Sequence, residues 1–295
     1  MFKNKGRSTV AVGAALVVAC AAGWLVWDAA SGPDDPGRNG DLPQGVRPLR
    51  SGAPPADAPS TGAPSARAGK PLAGRVVVLD PGHNARNSRH TAEINRLVDI
   101  GTARKECDTT GTATNAGYAE AAFTLDVSRR ARTLLEARGA TVRLTYDGDR
   151  AYGPCIDERA RIGNEAEADA AVSVHGDGSA GGHRGFHVIM PAALHQGIAD
   201  TRRISGPSRL LGGALKRHFA GETGTRPSNY IGGGTGLDVR RDLGGLNLST
   251  VPKVLIECGN MRDPADAALM TSPAWRQKAA EGIADGVTAF LEERG

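Results

Sequence analysis

Three residues with metal-binding or acid–base side chains each follow a short apolar run. His83 follows RVVVLD and a Pro-Gly pair, His175 follows AAVSV, and Glu257 follows KVLI. If these runs are parallel strands of one sheet, their carboxyl ends meet at one edge, where sites form in α/β proteins. Two histidines and one glutamate are a known ligand set for a catalytic zinc ion, which keeps a fourth position open. The three residues therefore predict a site for a metal or for acid–base chemistry.

Each of these residues has an ordinary explanation when it is taken alone. A single histidine after a strand is usually a surface or hydrogen-bonded residue, and the Gly-Asp-Gly-Ser segment after His175 is typical of a loop. Glu257 is harder to explain in this way, because a charged side chain between Val-Leu-Ile and Cys-Gly is expected to need a partner. The combination therefore favours a site more strongly than any single residue does.

Alternating apolar runs and amphipathic stretches predict the elements that position these residues. Continuous runs of branched apolar residues are typical of buried parallel strands, and apolar stripes at helical spacing are typical of helices. We expect strands at residues 75–80, 141–145, 170–174, 186–190 and 253–256, and helices at 119–138, 159–167, 208–219 and from Ser272 onward. This alternation predicts a single α/β domain with a mostly parallel, open twisted sheet, flanked by helices on both faces.

The first 30 residues are typical of a signal or membrane-anchor segment. Three basic residues precede an uncharged, mostly apolar run at residues 9–27, which just reaches the length of a membrane-spanning helix. An uncleaved anchor, a cleaved signal peptide and a lipoprotein cleaved before Cys20 are all compatible with this pattern. In each case the segment contacts the membrane or the export machinery, and the rest of the chain lies outside the cytoplasm.

Residues 31–70 are rich in Pro, Gly, Ala and Ser and are expected to form a disordered linker, because they cannot bury enough apolar surface to fold. The globular domain then spans residues 71–295. Eight of the 36 Lys and Arg residues and five of the 32 Asp and Glu residues lie within residues 1–70, so this domain is nearly neutral. Such a balance argues against nucleic acid as a partner.

Three cysteines lie in the predicted globular domain. Cys107 and Cys155 are both in polar, turn-like stretches, and export places them in an oxidising compartment. We therefore expect a disulfide between them, with two free surface thiols as the alternative. Cys258 follows an apolar run and is expected to be a buried thiol.

Four ordered motifs resemble one enzyme family. The segments VLDPGH (78–83), EAAFTL (120–125), SVH (173–175) and VLIECGN (254–260) are similar to those of the zinc-dependent N-acetylmuramoyl-L-alanine amidases of the type-three family. The resemblance covers about residues 74–292. The insert at 84–117 resembles that of actinobacterial members, in which a disulfide pins it. Departures after His83, Glu120 and His175 leave all the site residues in place and concern substrate preference.

The resemblance implies a function and a role for each site residue. Members of this family cut peptidoglycan between the lactyl group of N-acetylmuramic acid and the first L-alanine of the stem peptide, in cell-wall remodelling or autolysis. The implied zinc ligands are His83, Glu120 and His175. Glu257 is the implied catalytic residue, a general base that takes a proton from water and returns it to the leaving nitrogen. Peptidoglycan or a muropeptide is the implied substrate, and we expect a monomer.

The third ligand has competitors, because Glu93, Glu106 and Glu120 all lie between the two histidines in sequence. Glu120 is favoured because it begins a helix with a regular core stripe, whereas the other two lie in a loop. In the family, the segment before the Glu257 strand borders the substrate groove, so Arg240 and Asn247 are candidate substrate contacts.

Two functions from other classes stay open on the sequence alone. The motifs determine the metal and not the scissile bond, so another zinc amidase or peptidase of the cell envelope would fit them. A peptidoglycan-binding module or regulator with an inactive site is the other alternative, and the presence of all four site residues argues against it.

Overall fold

The five predicted strands, together with a strand at Leu237–Arg240 that was not predicted, form one central sheet. The computed structural model describes residues 70–294, so the predicted export segment and nearly all of the predicted linker lie outside the described residues. Within residues 70–294 the strands are β1 (Val76–Pro81), β2 (Leu97–Asp99), β3 (Arg104–Glu106), β4 (Thr141–Leu144), β5 (Ala170–Asp177), β6 (His187–Pro191), β7 (His195–Gln196), β8 (Ala199–Asp200), β9 (Leu237–Arg240) and β10 (Lys253–Asn260).

Seven α-helices connect these strands within the same residues, with two short 3-10 turns. They are α1 (Thr91–Ile94), α2 (Glu120–Ala137), α3 (Ile156–Glu165), α4 (Ser205–Thr223), α5 (Gly244–Asn247), α6 (Pro264–Thr271) and α7 (Pro273–Glu292). The last helix begins as predicted, because the Ser272 hydroxyl accepts a hydrogen bond from the Trp275 amide and Pro273 occupies the first turn. No helix within residues 70–294 has the length and apolarity needed to cross a membrane.

The central sheet has six strands in the order β4-β1-β5-β10-β6-β9. Every neighbouring pair is parallel except β10 with β6, which is antiparallel. Two small hairpins, β2-β3 and β7-β8, lie outside it. The predicted single α/β domain with a mostly parallel sheet is therefore confirmed.

The two faces of the sheet pack against different kinds of side chain. Alternate side chains of β1, such as Val77 and Leu79, enter the large apolar core that is completed by α2, α4 and α7. The intervening Asp80 points to the opposite face, where its carboxylate contacts Arg159 of α3. Helices therefore cover both faces, and the face under α3 buries charge.

Candidate metal centre

Three of the predicted site residues converge at the carboxyl edge of the sheet. Strands β1 and β5 are parallel neighbours with Pro81 opposite Val174, so His83, just beyond β1, lies beside His175 of β5, with ring centroids 5.0 Å apart. Glu120 is the first residue of α2, which packs against both strands. One ligand atom from each of the three side chains lies within 4.8 Å of the others. Parallel pairing has therefore brought together residues that are far apart in sequence.

Each of the two histidines has one ring nitrogen close to a different oxygen of Glu120. His83 Nε2 is 3.3 Å from Glu120 Oε2, and His175 Nδ1 is 3.0 Å from Glu120 Oε1. Two imidazoles and one carboxylate have the chemistry of a catalytic zinc site with an open position. The cluster can therefore hold a metal ion such as zinc.

Glu120 is fixed by the backbone around it. Its Oε2 accepts a hydrogen bond of 2.8 Å from the Thr112 amide, and its Oε1 accepts one of 3.1 Å from the Gly176 amide. Burial alone would raise the pKa of Glu120, but the His83 charge and hydrogen bonds from both histidines outweigh burial and hold the pKa well below its usual range. Glu120 is therefore a preorganised anion at the N-terminus of a helix, where negative charge is favourable.

The carboxylates of Glu120 and Asp108 favour the protonated form of the His83 imidazole. Burial favours the neutral ring, but the charge of Glu120 and a hydrogen bond with Asp108 outweigh burial and raise the pKa of His83 to about 10. A metal ligand must be a neutral imidazole, so binding of a cation displaces this proton. His83 also has a φ of 61°, an uncommon backbone conformation for a residue other than glycine.

Glu257 lies beside the cluster, on the strand next to β5. It is directly opposite His175 in the β10–β5 pair and opposite His187 in the β10–β6 pair. Its Oε2 is buried and has no hydrogen-bond partner among residues 70–294. Burial raises the pKa of Glu257 well above its usual range, and the negative charges of Glu120 and Asp177 add to this effect. A carboxyl whose pKa is raised above its usual range has the property required of a general acid–base group.

A cavity of about 270 Å³ opens beside the two histidines. Apolar side chains from α3, α5 and β10 form much of its wall, among them Ile156, Leu246 and Leu255. Lys105 and Glu106 of β3 also border it. The cavity therefore places a partly apolar space next to His83 and His175.

The other two candidate ligands are not members of the cluster. Glu93 is on the short α1 helix, where its Oε1 is 3.3 Å from His90 Nδ1. Glu106 ends β3 with an exposed side chain. Among the described residues, only Glu120 joins the two histidines in a group able to hold a metal.

The two candidate substrate contacts differ in their surroundings. Arg240, at the end of β9, is partly exposed, and its guanidinium forms two hydrogen bonds with Asp242, of 2.8 and 2.6 Å. Asn247 is fully buried in α5, and its Nδ2 donates to oxygen atoms of Ile100, Thr102 and Arg241. Their role in substrate binding stays a prediction.

Cys107 and Cys155 lie together at the base of the insert. Their Sγ atoms are 2.05 Å apart, at bonding distance, and the Cα atoms are 4.3 Å apart. Cys258 is buried and unpaired among the described residues, in agreement with the expectation for it.

The charged groups that surround His83 were not predicted from the sequence. Asp108 contacts the His83 ring, and Arg159 contacts Asp108, with both side chains only 4% exposed. The position of Arg159 in its helix could have indicated a buried charge, because Arg159 shares a helix face with Ile156 and Gly163. A charge on an otherwise buried face requires a buried partner.

An α/β sheet with a His-Glu-His cluster at its carboxyl edge, and a buried carboxyl next to it, is the arrangement of a hydrolase whose site can hold a metal ion. Residues 77–289 match the family described as N-acetylmuramoyl-L-alanine amidase. The chain belongs to this family, which confirms both the predicted family and the predicted enzyme class.

Known relatives agree with this assignment. The chain is 42% identical over 225 residues to the N-acetylmuramoyl-L-alanine amidase Rv3717 of Mycobacterium tuberculosis, a match that covers 76% of this chain and 89% of the relative. Its structure is similar to that of the N-acetylmuramyl-L-alanine amidase Ami1 from Mycobacterium smegmatis, with a TM-score of 0.69, 43% identity, and coverage of 75% and 99%. Ami1 from Mycobacterium abscessus matches with a TM-score of 0.68, 41% identity, and coverage of 75% and 100%.

Proposed function

We propose that this protein is a zinc-dependent N-acetylmuramoyl-L-alanine amidase that acts on peptidoglycan. It hydrolyses the amide bond between the lactyl group of N-acetylmuramic acid and L-alanine. The observation that carries the proposal is the convergence of His83, Glu120 and His175 within 4.8 Å, next to Glu257, whose Oε2 has no hydrogen-bond partner among the described residues.

Each site residue has a distinct task in this reaction. His83 offers Nε2 and His175 offers Nδ1 to the metal, and Glu120 offers a carboxylate oxygen that backbone amides already orient. A zinc ion held there supplies Lewis-acid chemistry to the scissile carbonyl and lowers the pKa of a water molecule.

Glu257 carries the proton through the reaction. Its Oε2 takes a proton from the attacking water as the new carbon–oxygen bond forms, and returns the proton to the L-alanine nitrogen as the carbon–nitrogen bond breaks. The lack of a hydrogen-bond partner for this oxygen among the described residues, and its raised pKa, support the role. Such proton transfer contributes about 10²- to 10⁴-fold to a rate.

The remaining parts of the chain are assigned by the same proposal. Residues 71–295 form the catalytic domain, residues 31–70 form a linker, and residues 1–30 direct export and contact the membrane or the export machinery. The catalytic domain then acts in the cell envelope, as an anchored or secreted monomer. The adjacent Cys107 and Cys155 support a disulfide, which suits that oxidising location.

Digestion of purified muropeptides, read by mass spectrometry with and without a metal chelator, tests this function. We expect intact stem peptides with a free L-alanine amine, together with glycan that keeps its lactyl acid, and no products after chelation. Fragments cut within the stem peptide would instead identify a peptidase.

Glu257→Gln provides the test of mechanism within the same assay. We expect it to retain zinc, measured by metal analysis, and to lose at least about 10²-fold in kcat, since the amide cannot accept a proton. Glu222→Gln is the matched control, because Glu222 is exposed on α4. A Glu257→Gln variant with the wild-type rate would remove Glu257 from the mechanism.

A further inference from the structure

The most fully bonded side chain near the cluster is Arg159, which the proposed mechanism does not use. It is 4% exposed, so its guanidinium must find its partners within the protein. All five of its N–H donors have an acceptor. These acceptors are Pro154 O at 2.9 Å, Asp80 Oδ1 at 2.9 Å, Pro81 O at 2.6 Å, His83 O at 3.2 Å and Asp108 Oδ2 at 3.1 Å.

Two of these hydrogen bonds are made with the backbone of the turn that contains His83. The carbonyl oxygens of Pro81 and His83, on either side of Gly82, both accept hydrogen bonds from Arg159. His83 has a φ of 61°, a conformation that a residue other than glycine keeps only when its surroundings impose it. Arg159 is one of the groups that impose it, since both of its terminal nitrogens are bonded to this turn.

A third bond reaches the ring of His83 through Asp108. Asp108 Oδ2 accepts from Arg159, while Asp108 Oδ1 lies 3.1 Å from His83 Nδ1. The Nδ1 side of the ring is therefore engaged, and Nε2 faces Glu120 at 3.3 Å. A carboxylate behind a histidine fixes the tautomer and the orientation of the ring that a metal needs. Here the carboxylate is itself held in place by a buried guanidinium.

Stability alone is a weak reason for this arrangement. Burying charged groups removes them from water, and buried ion pairs can often be replaced by apolar residues without loss of stability. Asp80, Asp108, Arg159 and Lys253 are all at most 4% exposed. Of the two cations, Arg159 contacts the His83 turn, whereas Lys253 contacts Asp80 through Nζ at 2.9 Å.

We propose that Arg159 is a positioning residue of the metal centre, acting on His83 through Asp108 and through the carbonyls of Pro81 and His83. This inference rests on the proposed function, because it needs the cluster to bind a metal. Its consequence is that the guanidinium sets the metal affinity of the site without touching metal or substrate. A second consequence is that a positive charge alone is insufficient to position His83. A lysine at position 159 would keep the charge but cannot supply five donors in one plane.

Zinc affinity of the purified full-length protein, measured by competition with a chelating indicator, provides the test. Metal-free wild type, Arg159→Lys and Asp108→Asn are titrated with zinc, and the unfolding of each metal-free protein by urea is recorded separately. We expect zinc affinity to fall about 10- to 100-fold in both variants, the usual effect of losing a partner of a metal-bound histidine. At saturating zinc, KM is expected to stay at the wild-type value while kcat falls.

Lys253→Met is the matched control for a merely structural role. It breaks another buried ion pair of the same group but leaves every contact of the His83 turn intact. We expect it to alter unfolding and to retain wild-type zinc affinity. Asp108→Asn keeps the test decisive if Arg159→Lys fails to fold, because it preserves the shape of the side chain.

The outcomes separate the two proposals. Wild-type zinc affinity in the folded Arg159→Lys or Asp108→Asn protein overturns the positioning role and leaves the amidase mechanism intact. An equal loss of zinc affinity in Lys253→Met also overturns it, because the effect would then belong to the whole charged interior. If the wild type itself binds no zinc, the proposed function fails, and the positioning role fails with it.

Discussion

Gly82 lies so close to the ring of His175 that a single added methyl group should disable the proposed metal centre. A Cβ at this position would be 2.3 Å from His175 Cε1, 2.5 Å from Nδ1 and 2.7 Å from Nε2. The backbone of Gly82 cannot easily retreat, because its amide donates to Val174 O at 2.9 Å and its carbonyl accepts from Thr124 Oγ1 at 2.7 Å. In Gly82→Ala, the His175 ring must therefore move.

The size of this movement sets the expected loss. Non-bonded carbon atoms settle about 3.5 Å apart, so the ring must withdraw by about 1.2 Å. A catalytic arrangement tolerates about 0.5 Å, and a misplacement of about 1 Å can cost about 10²-fold in rate. We therefore expect kcat/KM to fall about 100-fold, or about 2.7 kcal/mol in transition-state free energy, and zinc affinity to fall as well.

Muropeptide hydrolysis and zinc titration of the purified variant measure both effects. Gly181→Ala is the matched control, because a Cβ at Gly181 has no other atom within 4 Å. It should behave as wild type in both assays. Zinc affinity and kcat/KM within about twofold of wild type in Gly82→Ala would refute the reasoning, because the ring would then have tolerated the displacement.

Two predictions concern stability. Replacing Cys107 and Cys155 by alanine should lower the free energy of unfolding by about 4 kcal/mol, because the proposed disulfide closes a sequence separation of 48 residues. A urea midpoint of the wild type that does not change when a reductant is added would contradict this disulfide. Burial would raise the pKa of Asp80, but Lys253 and Arg159 outweigh burial and hold it well below the ordinary value of 3.8. The stability that ionised Asp80 contributes is therefore fully present above about pH 4 and falls below it, by up to about 1.4 kcal/mol per pH unit. Urea unfolding at a series of pH values measures this slope, and a constant free energy of unfolding down to about pH 2 would contradict it.

Sequence periodicity was sufficient for the main elements of the fold. The five predicted strands and four predicted helices all form, because apolar alternation and helix-capping residues act over a few neighbouring positions. Boundaries were less accurate, since β5 and β10 continue through His175 and Glu257 to Asp177 and Asn260. A strand that lies within a sheet continues as long as its neighbours supply hydrogen-bond partners, even where its side chains become polar.

The sequence by itself determined which side chains could do chemistry, because His83, His175 and Glu257 each end an apolar run. Only the tertiary structure decided what surrounds them. The contact of Arg159 with the His83 turn spans 76 positions and depends on how α3 packs against β1. The approach of Gly82 to His175 depends on the register of β1 with β5. Local pattern carries no information about such contacts, because they arise only when separate elements pack against each other.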